Sequence, residues 1–427
     1  MLKVFVLHKN GKPLMPCQSV IARLLLKSKQ AKVLQRTPFT IQLLHETTEY
    51  VQPVTLGVDA GSKIVGVCAT TEKEELYVTE ALLRDDISGL IKDRAMYRRN
   101  RRYRKTRYRQ ARFSNRKNRL GKLAPSVQHK VDSHIKIVRE VHKILPISKI
   151  IVETASFDVQ KLKNPTIKGK QYQEGEQLAF YNVKEYVKFR DNYQCKHCKG
   201  KSKDRKLEVH HIIPRSQYGS NVPSNLITLC ETCHDSLHTG TISVQFPKQQ
   251  SYKDATFMGI MRNRVLTTLQ SMYDNVVETF GYVTKFTREQ IGLEKSHVND
   301  AFCITGNLQA ARSNTMYLQK FVRKSNRQLH KANPSKGGIR KANKAPYIVK
   351  GFRLFDKVKY EGIVCFIFGR RTTGYFDLRT LSGEVIHRSA SWKKLELLET
   401  AQTLLKEERI PLLPTAMQLR KESPALF

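Results

Sequence analysis

Residues 208–238 read "EVHHIIPRSQYGSNVPSNLITLCETCHDSLH": two adjacent histidines, an asparagine, then a CxxC pair running into two more histidines. The stretch "LEVHHII" has the composition of a strand, so His210 and His211 point to opposite sides of it. His234 and His238 are spaced i, i+4, which puts them on one face of a helix. A strand, a loop and a helix can therefore gather His210, His234 and His238 around one cation. His211 faces the other way and is left as a base, and Asn225 stands where its amide can brace the loop. If all four histidines were surface residues of a purely structural finger, this spacing would have no cause.

A second CxxC lies upstream. Cys195 and Cys198 are separated from Cys230 and Cys233 by 31 residues. Four thiolates suit tetrahedral Zn2+, and a segment this poor in apolar residues needs such a staple. Cys17, Cys68, Cys303 and Cys365 are scattered in apolar stretches, as ordinary buried thiols are. That usage fits a reducing compartment and a structural metal, not a disulfide framework.

The whole chain is strongly basic. Its 427 residues carry a formal net charge of +39, far beyond what solubility needs, and are enough for several domains. Residues 93–122, "DRAMYRRNRRYRKTRYRQARFSNRKNRLGK", hold fourteen Arg or Lys and one acid, with no Gly or Pro before Gly121, so helix is expected. Arg98, Arg99, Arg101, Arg102, Arg104, Arg107, Arg109 and Arg112 cover every face of that helix. Such self-repulsion is tolerable when phosphates surround it, and the interleaved Tyr97, Tyr103 and Tyr108 can stack on bases. No apolar run reaches the roughly 20 residues of a spanning helix, and the arginine stretch lacks the apolar face of an interfacial one. The expected polyanion is nucleic acid and not a membrane. The opening "MLKVFVLHKNGKPLMPC" turns too early to be a secretory signal.

A dispersed constellation completes the pattern. Asp59 lies on the strand "LGVDAGS", Glu153 ends the strand "KIIVE", and His297 and Asp300 occur as "HVND" at the start of a helix. Acids from a first strand, a fourth strand and a late helix converge in RNase H-like folds. There they can hold two Mg2+ ions bridged by Asp59, which activate water and stabilise the leaving oxygen.

"GKPLMP", "GVDAGSKIVGV", the arginine-rich helix, "IVETASFD", the histidine–cysteine segment and "HVNDA" follow one another in the order seen in the IscB family. The chain resembles that family of transposon-encoded RNA-guided endonucleases over nearly its whole length. The resemblance implies an α/β multidomain fold. Its RNase H-like (RuvC) core would be split in three segments, at 55–92, 125–160 and 253–315. A PLMP domain would occupy 1–54, an arginine-rich bridge helix 93–124, and an inserted ββα-metal HNH domain with its zinc site 161–252. A basic RNA-binding linker would follow at 316–346. A small β-barrel at 347–427 would read a short target-adjacent motif. Asp59, Glu153, His297 and Asp300 match the RuvC site, the first two and Asp300 as metal ligands. His211 and Asn225 match HNH catalytic positions, with Mg2+ expected at this site too. Many HNH domains have Asp where this chain has His210, and Asn where it has His234.

The implied activity is cleavage of double-stranded DNA by a monomeric ribonucleoprotein with a non-coding guide RNA, in a prokaryotic cytoplasm near the nucleoid. HNH would cut the guide-paired strand and RuvC the displaced one. The competing classes are a junction-resolvase-like nuclease acting without RNA, and an RNA-binding protein that does not cleave.

Overall fold

The computed structural model describes residues 3–102, 123–154, 168, 177, 180–215, 221–243, 253–323, 330–331, 341–342 and 346–409. Two compact units divide the chain: Met1–Ala155 together with Phe257–Phe427, and Ser156–Thr256.

In the first unit, strands β5 (Val54–Asp59), β6 (Ile64–Thr70) and β7 (Glu75–Leu82) form an antiparallel meander. Strand β8 (Ile147–Thr154) lies parallel to β5, and β11 (Val276–Phe280) lies parallel to β8. On the far side β12 (Met316–Phe321) pairs parallel with β7 and antiparallel with β20 (Leu404–Arg409). The sheet order is β11-β8-β5-β6-β7-β12-β20.

Strand parity sorts the two faces of this sheet. Leu56 and Val58 of β5, with Val65, Val67 and Ala69 of β6, enter the largest core. There they meet Ile137, Val138 and Val141 of helix α3 (Pro125–His142) and Met261, Val265 and Leu269 of α6 (Lys253–Gln270). The alternate residues Gly57 and Gly66 face helix α8 (His297–Thr305). A Cβ at Gly57 would lie 2.2 Å from the Ala301 carbonyl oxygen, and one at Gly66 would lie 1.9 Å from that of His297. Both glycines are therefore required by close backbone approach. Ser296 caps α8 by accepting from the Asn299 amide, and Gly306 ends it at φ 77°.

The N-terminal module joins β1 (Lys3–Leu7), β2 (Cys17–Gln18), β3 (Ala31–Gln35) and β4 (Thr40–Leu43) in the order β2-β1-β4-β3. Its helix α1 (Ser19–Lys27) is shorter than the apolar run from Ser19 to Leu34 suggests. The chain turns at Lys29 (φ 56°) and continues as β3 against β4. Helix α2 (Ile87–Arg102) starts six residues before the arginine-rich stretch. Arg98 and Arg99 are exposed on it, whereas Tyr103, Arg104, Arg107, Arg109 and Arg112 lie outside the described residues.

Two C-terminal expectations change. Residues from 316 begin as β12 of the central sheet, with Tyr317, Leu318 and Phe321 buried, so the linker starts later. The described part of that linker is a short pairing of β13 (His330–Lys331) with β14 (Lys341–Ala342). Strands β15 (Lys357–Tyr360), β16 (Ile363–Arg370), β17 (Tyr375–Arg379), β18 (Val385–Ser391) and β19 (Leu395–Glu399) make an antiparallel sheet ordered β18-β17-β16-β15-β19. Among the described residues no pairing of β18 with β19 closes it into a barrel. The last strand, β20, leaves this sheet to pair with β12 instead, because Leu404 and Leu405 are buried there.

The second unit contains α4 (Val183–Arg190), a hairpin of β9 (Leu207–His211) with β10 (Leu226–Cys230), and α5 (Glu231–His238). Its small core is built from Ile227, Leu229 and three of the zinc-type cysteines, Cys195, Cys230 and Cys233.

Candidate functional site

The β9–β10–α5 unit brings the expected histidines together. One ring nitrogen each from His210, His234 and His238 lie within 4.8 Å of one another. His234 Nδ1 lies 2.9 Å from a Glu208 carboxylate oxygen, so Nδ1–H donates there and Nε2 presents its lone pair to the cluster. Glu208 and His210 share one face of β9, being two residues apart. Burial pushes the His210 imidazole down to about 4, helped by the neighbouring His234 and His238, so its ring is neutral at pH 7.

His211 pairs with Leu226 across the hairpin and turns away from this cluster. Its Nε2 lies 2.9 Å from Asn221 Oδ1, which also accepts from Arg215 at 3.1 Å. An amide oxygen can only accept, so Nε2 carries the proton and the basic lone pair of His211 is on Nδ1. Asn225 is 1% exposed and clasps Ile213, accepting from its N–H at 2.9 Å and donating to its carbonyl at 3.1 Å. It thus braces the loop after β9, as its place in the sequence suggests.

Cys195, Cys198, Cys230 and Cys233 offer four sulfurs within 4.8 Å of one another. Burial pushes the Cys233 thiol up, and the neighbouring Cys230, Cys198 and Cys195 add to that. The four-sulfur donor set fits Zn2+.

The three histidines are a different donor set. Mg2+ demands oxygen ligands, whereas imidazoles suit borderline transition ions. Mg2+ therefore does not fit this cluster. Co2+ is expected to bind it about a hundredfold more tightly than Mg2+ does. With the four-cysteine site kept filled by Zn2+, the visible Co2+ bands of the histidine cluster should be lost in His234→Ala, and equal competition by Mg2+ would contradict the assignment.

The acids lie in the first unit. Asp59 ends β5 on the Gly57 face, so α8 brings His297 and Asp300 over it. His297 Nδ1 donates to Asp59 at 2.6 Å, and this hydrogen bond pulls the imidazole up despite burial. Burial and the nearby Asp59 charge raise both Glu153 and Asp300. Helix α7 (Gly281–Gln290) packs alongside, with buried Thr284 near Glu153 and Arg288 2.8 Å from Asp300. Three carboxylates form a hard donor set that fits Mg2+.

They are not drawn together as the histidines are. Among the described residues, only the four cysteines and the three histidines bring three or more metal-ligating atoms within 4.8 Å of one another. Between the acids stands Arg262 of α6, which the sequence reading missed. Its guanidinium is 3.2 Å from Glu153 and 3.9 Å from Asp59, and its Nε donates to the Ala60 carbonyl at 2.9 Å.

Residues 4–175 match the RRXRR protein family, and residues 195–240 match the HNH endonuclease family. Anaredoxin from Nostoc sp. is 38% identical over 58 residues, covering 14% of this chain and 74% of that protein. Among solved structures, Streptococcus thermophilus Cas9 in complex with the AGAA PAM is 15% identical, with a TM-score of 0.32. The match covers 49% of this chain and 30% of that one. The same Cas9 with the GGAA PAM gives 15% identity and a TM-score of 0.31, over 50% and 30% of the two chains. The chain thus spans about 30% of the length of those Cas9 chains. An RRXRR region is thus followed in this chain by an HNH endonuclease domain.

Proposed function

We propose that this protein is an RNA-guided endonuclease that cuts both strands of a DNA duplex next to a short adjacent motif. The observation that carries the reading is the pairing of two separate sites in one strongly basic chain. One is a histidine cluster with an outward-facing histidine beside it, and the other an acidic cluster at the ends of β5, β8 and the start of α8. The order β7-β6-β5-β8-β11, an antiparallel meander extended by parallel strands, supports an RNase H-like core for the acidic site.

In the HNH domain, His211 Nδ1 takes the proton from the attacking water while Asn221 holds the ring and Asn225 holds the loop. A cation on the three histidines would polarise the scissile phosphate. In the RuvC core, Asp59, Glu153 and Asp300 would hold Mg2+, which supplies a nucleophilic hydroxide and stabilises the leaving oxygen. His297 stays oriented by Asp59. By family resemblance HNH cuts the guide-paired strand and RuvC the displaced strand. Base pairing with the guide supplies sequence choice, so the protein needs to read only backbone shape and the adjacent motif.

The test is purification of the full chain from cells, with the bound nucleic acid identified. A defined structured RNA of a few hundred nucleotides should co-elute, and removing it should abolish cleavage of a matched plasmid. Cleavage that survives ribonuclease treatment would favour a junction-resolvase-like enzyme. Replacing Arg98 and Arg99 by Gln should weaken RNA retention and reduce its salt slope by roughly one to two units. A filter-binding titration with an unchanged slope would remove these arginines from the interface.

A further inference from the structure

The acidic cluster carries its own cation. Three carboxylates, Asp59, Glu153 and Asp300, meet two buried guanidiniums: Arg262 on the first two and Arg288 on the third. The formal sum is three negative and two positive charges, or −1. Arg288 lies on the neighbouring helix α7. Arg262 is 9% exposed and lies between the ends of two adjacent parallel strands, tied to the Ala60 carbonyl on one side and to Glu153 on the other. A guanidinium keeps its charge when buried, so it compensates the acids at any working pH.

We infer that Arg262 is an internal competitor for divalent cations, holding the acidic cluster in a neutralised resting form until a phosphodiester arrives. Two Mg2+ ions bring four positive charges to a site whose net charge is only −1. Loading them without DNA would set them against a guanidinium that already lies 3.2 Å and 3.9 Å from oxygens of the same carboxylates, where like charges repel strongly. A phosphate and the water-derived hydroxide supply the missing negative charge. Metal and DNA then favour each other's binding by the same factor, as linkage requires. Arg262 acts through Glu153 and Asp59, so it is a positioning residue. The consequence is an enzyme that does not assemble a hydrolytic metal centre on its resting surface.

The inference rests on the acids being a metal site, and the experiment separates the two. Mn2+ binding is measured by paramagnetic resonance on the full RNA-loaded chain, in a His210→Ala/His234→Ala background that silences the histidine cluster. Without DNA, Arg262→Gln should bind Mn2+ at least about tenfold more tightly than the parent, and Arg262→Lys should stay near the parent because it keeps the charge. Asp59→Asn should lose the binding. If Asp59→Asn binds as the parent does, the acids are not a metal site and the inference falls with that reading. If Asp59→Asn loses binding but Arg262→Gln binds equally or more weakly, only the competitor role is overturned. Should Arg262→Gln not fold, the parent alone decides. Its Mn2+ affinity should rise about tenfold on adding a phosphorothioate oligonucleotide, with oligonucleotide-only binding subtracted. An unchanged affinity overturns the inference.

Discussion

His211→Ala should leave a matched duplex cut in one strand only, with the rate on the guide-paired strand falling by ~10²–10⁴-fold. The imidazole is oriented by a specific contact. Asn221 accepts from Nε2 and so fixes the tautomer that leaves Nδ1 basic. Alanine removes the base without touching the three-histidine cluster, which faces the other side of β9, so cation binding there should persist. The displaced strand, assigned to the acids of the other unit, should be cut at the parent rate. Asp59→Ala should give the mirror result. Strand-specific end labels read both outcomes, and parent-like cutting of both strands by His211→Ala would remove His211 from the chemistry.

Removing the zinc should do more damage, because it removes the fold that carries that site. Among the described residues the main buried cluster of the second unit is Ile227 and Leu229 with Cys195, Cys230 and Cys233. A core this small does not offset the entropy of ordering the segment. Structural zinc contributes on the order of 10–16 kcal/mol of binding free energy in finger peptides, and that energy becomes folding energy. Cys230→Ser should therefore unfold the segment around 183–238 and abolish guide-paired-strand cleavage. The central sheet should remain folded, since the residues described in its core all belong to the first unit. Limited proteolysis with a zinc assay checks this. A protease-resistant, zinc-free insert would contradict it. Cys230 also ends β10 and precedes α5, so losing it frees the helix that carries His234 and His238.

The histidine segment was readable because its geometry is local. A period of two in "LEVHH" and a spacing of four in "HDSLH" dictate which rings share a face, and the four-cysteine set follows from donor count. The acids were readable as strand-end and helix-start positions. Their partners were not. Arg262 is 203 residues from Asp59 along the chain, and nothing in "IMRNRV" separates it from a solvated arginine until α6 packs on the sheet. Arg288 and Thr284 are hidden in the same way. Asn221 and Glu208 lie close to the histidines in sequence, yet their roles depend on loop shape and on which imidazole nitrogen is protonated. The Mg2+ expectation at the histidine cluster rests on the family resemblance, whereas three imidazoles suit a borderline transition ion. At the C-terminus, local strand signals found β15 to β19, but pattern alone cannot tell that β20 would return to the central sheet.

The contact of α8 with Gly57 and Gly66 has a bearing on redesign. Main-chain atoms, not rotamers, set the separation between Asp59 and Asp300, so that separation is insulated from the identity of surrounding side chains. The acidic cluster can be retuned by shuffling its periphery. Its ruler is two blank positions where even a methyl group has no room.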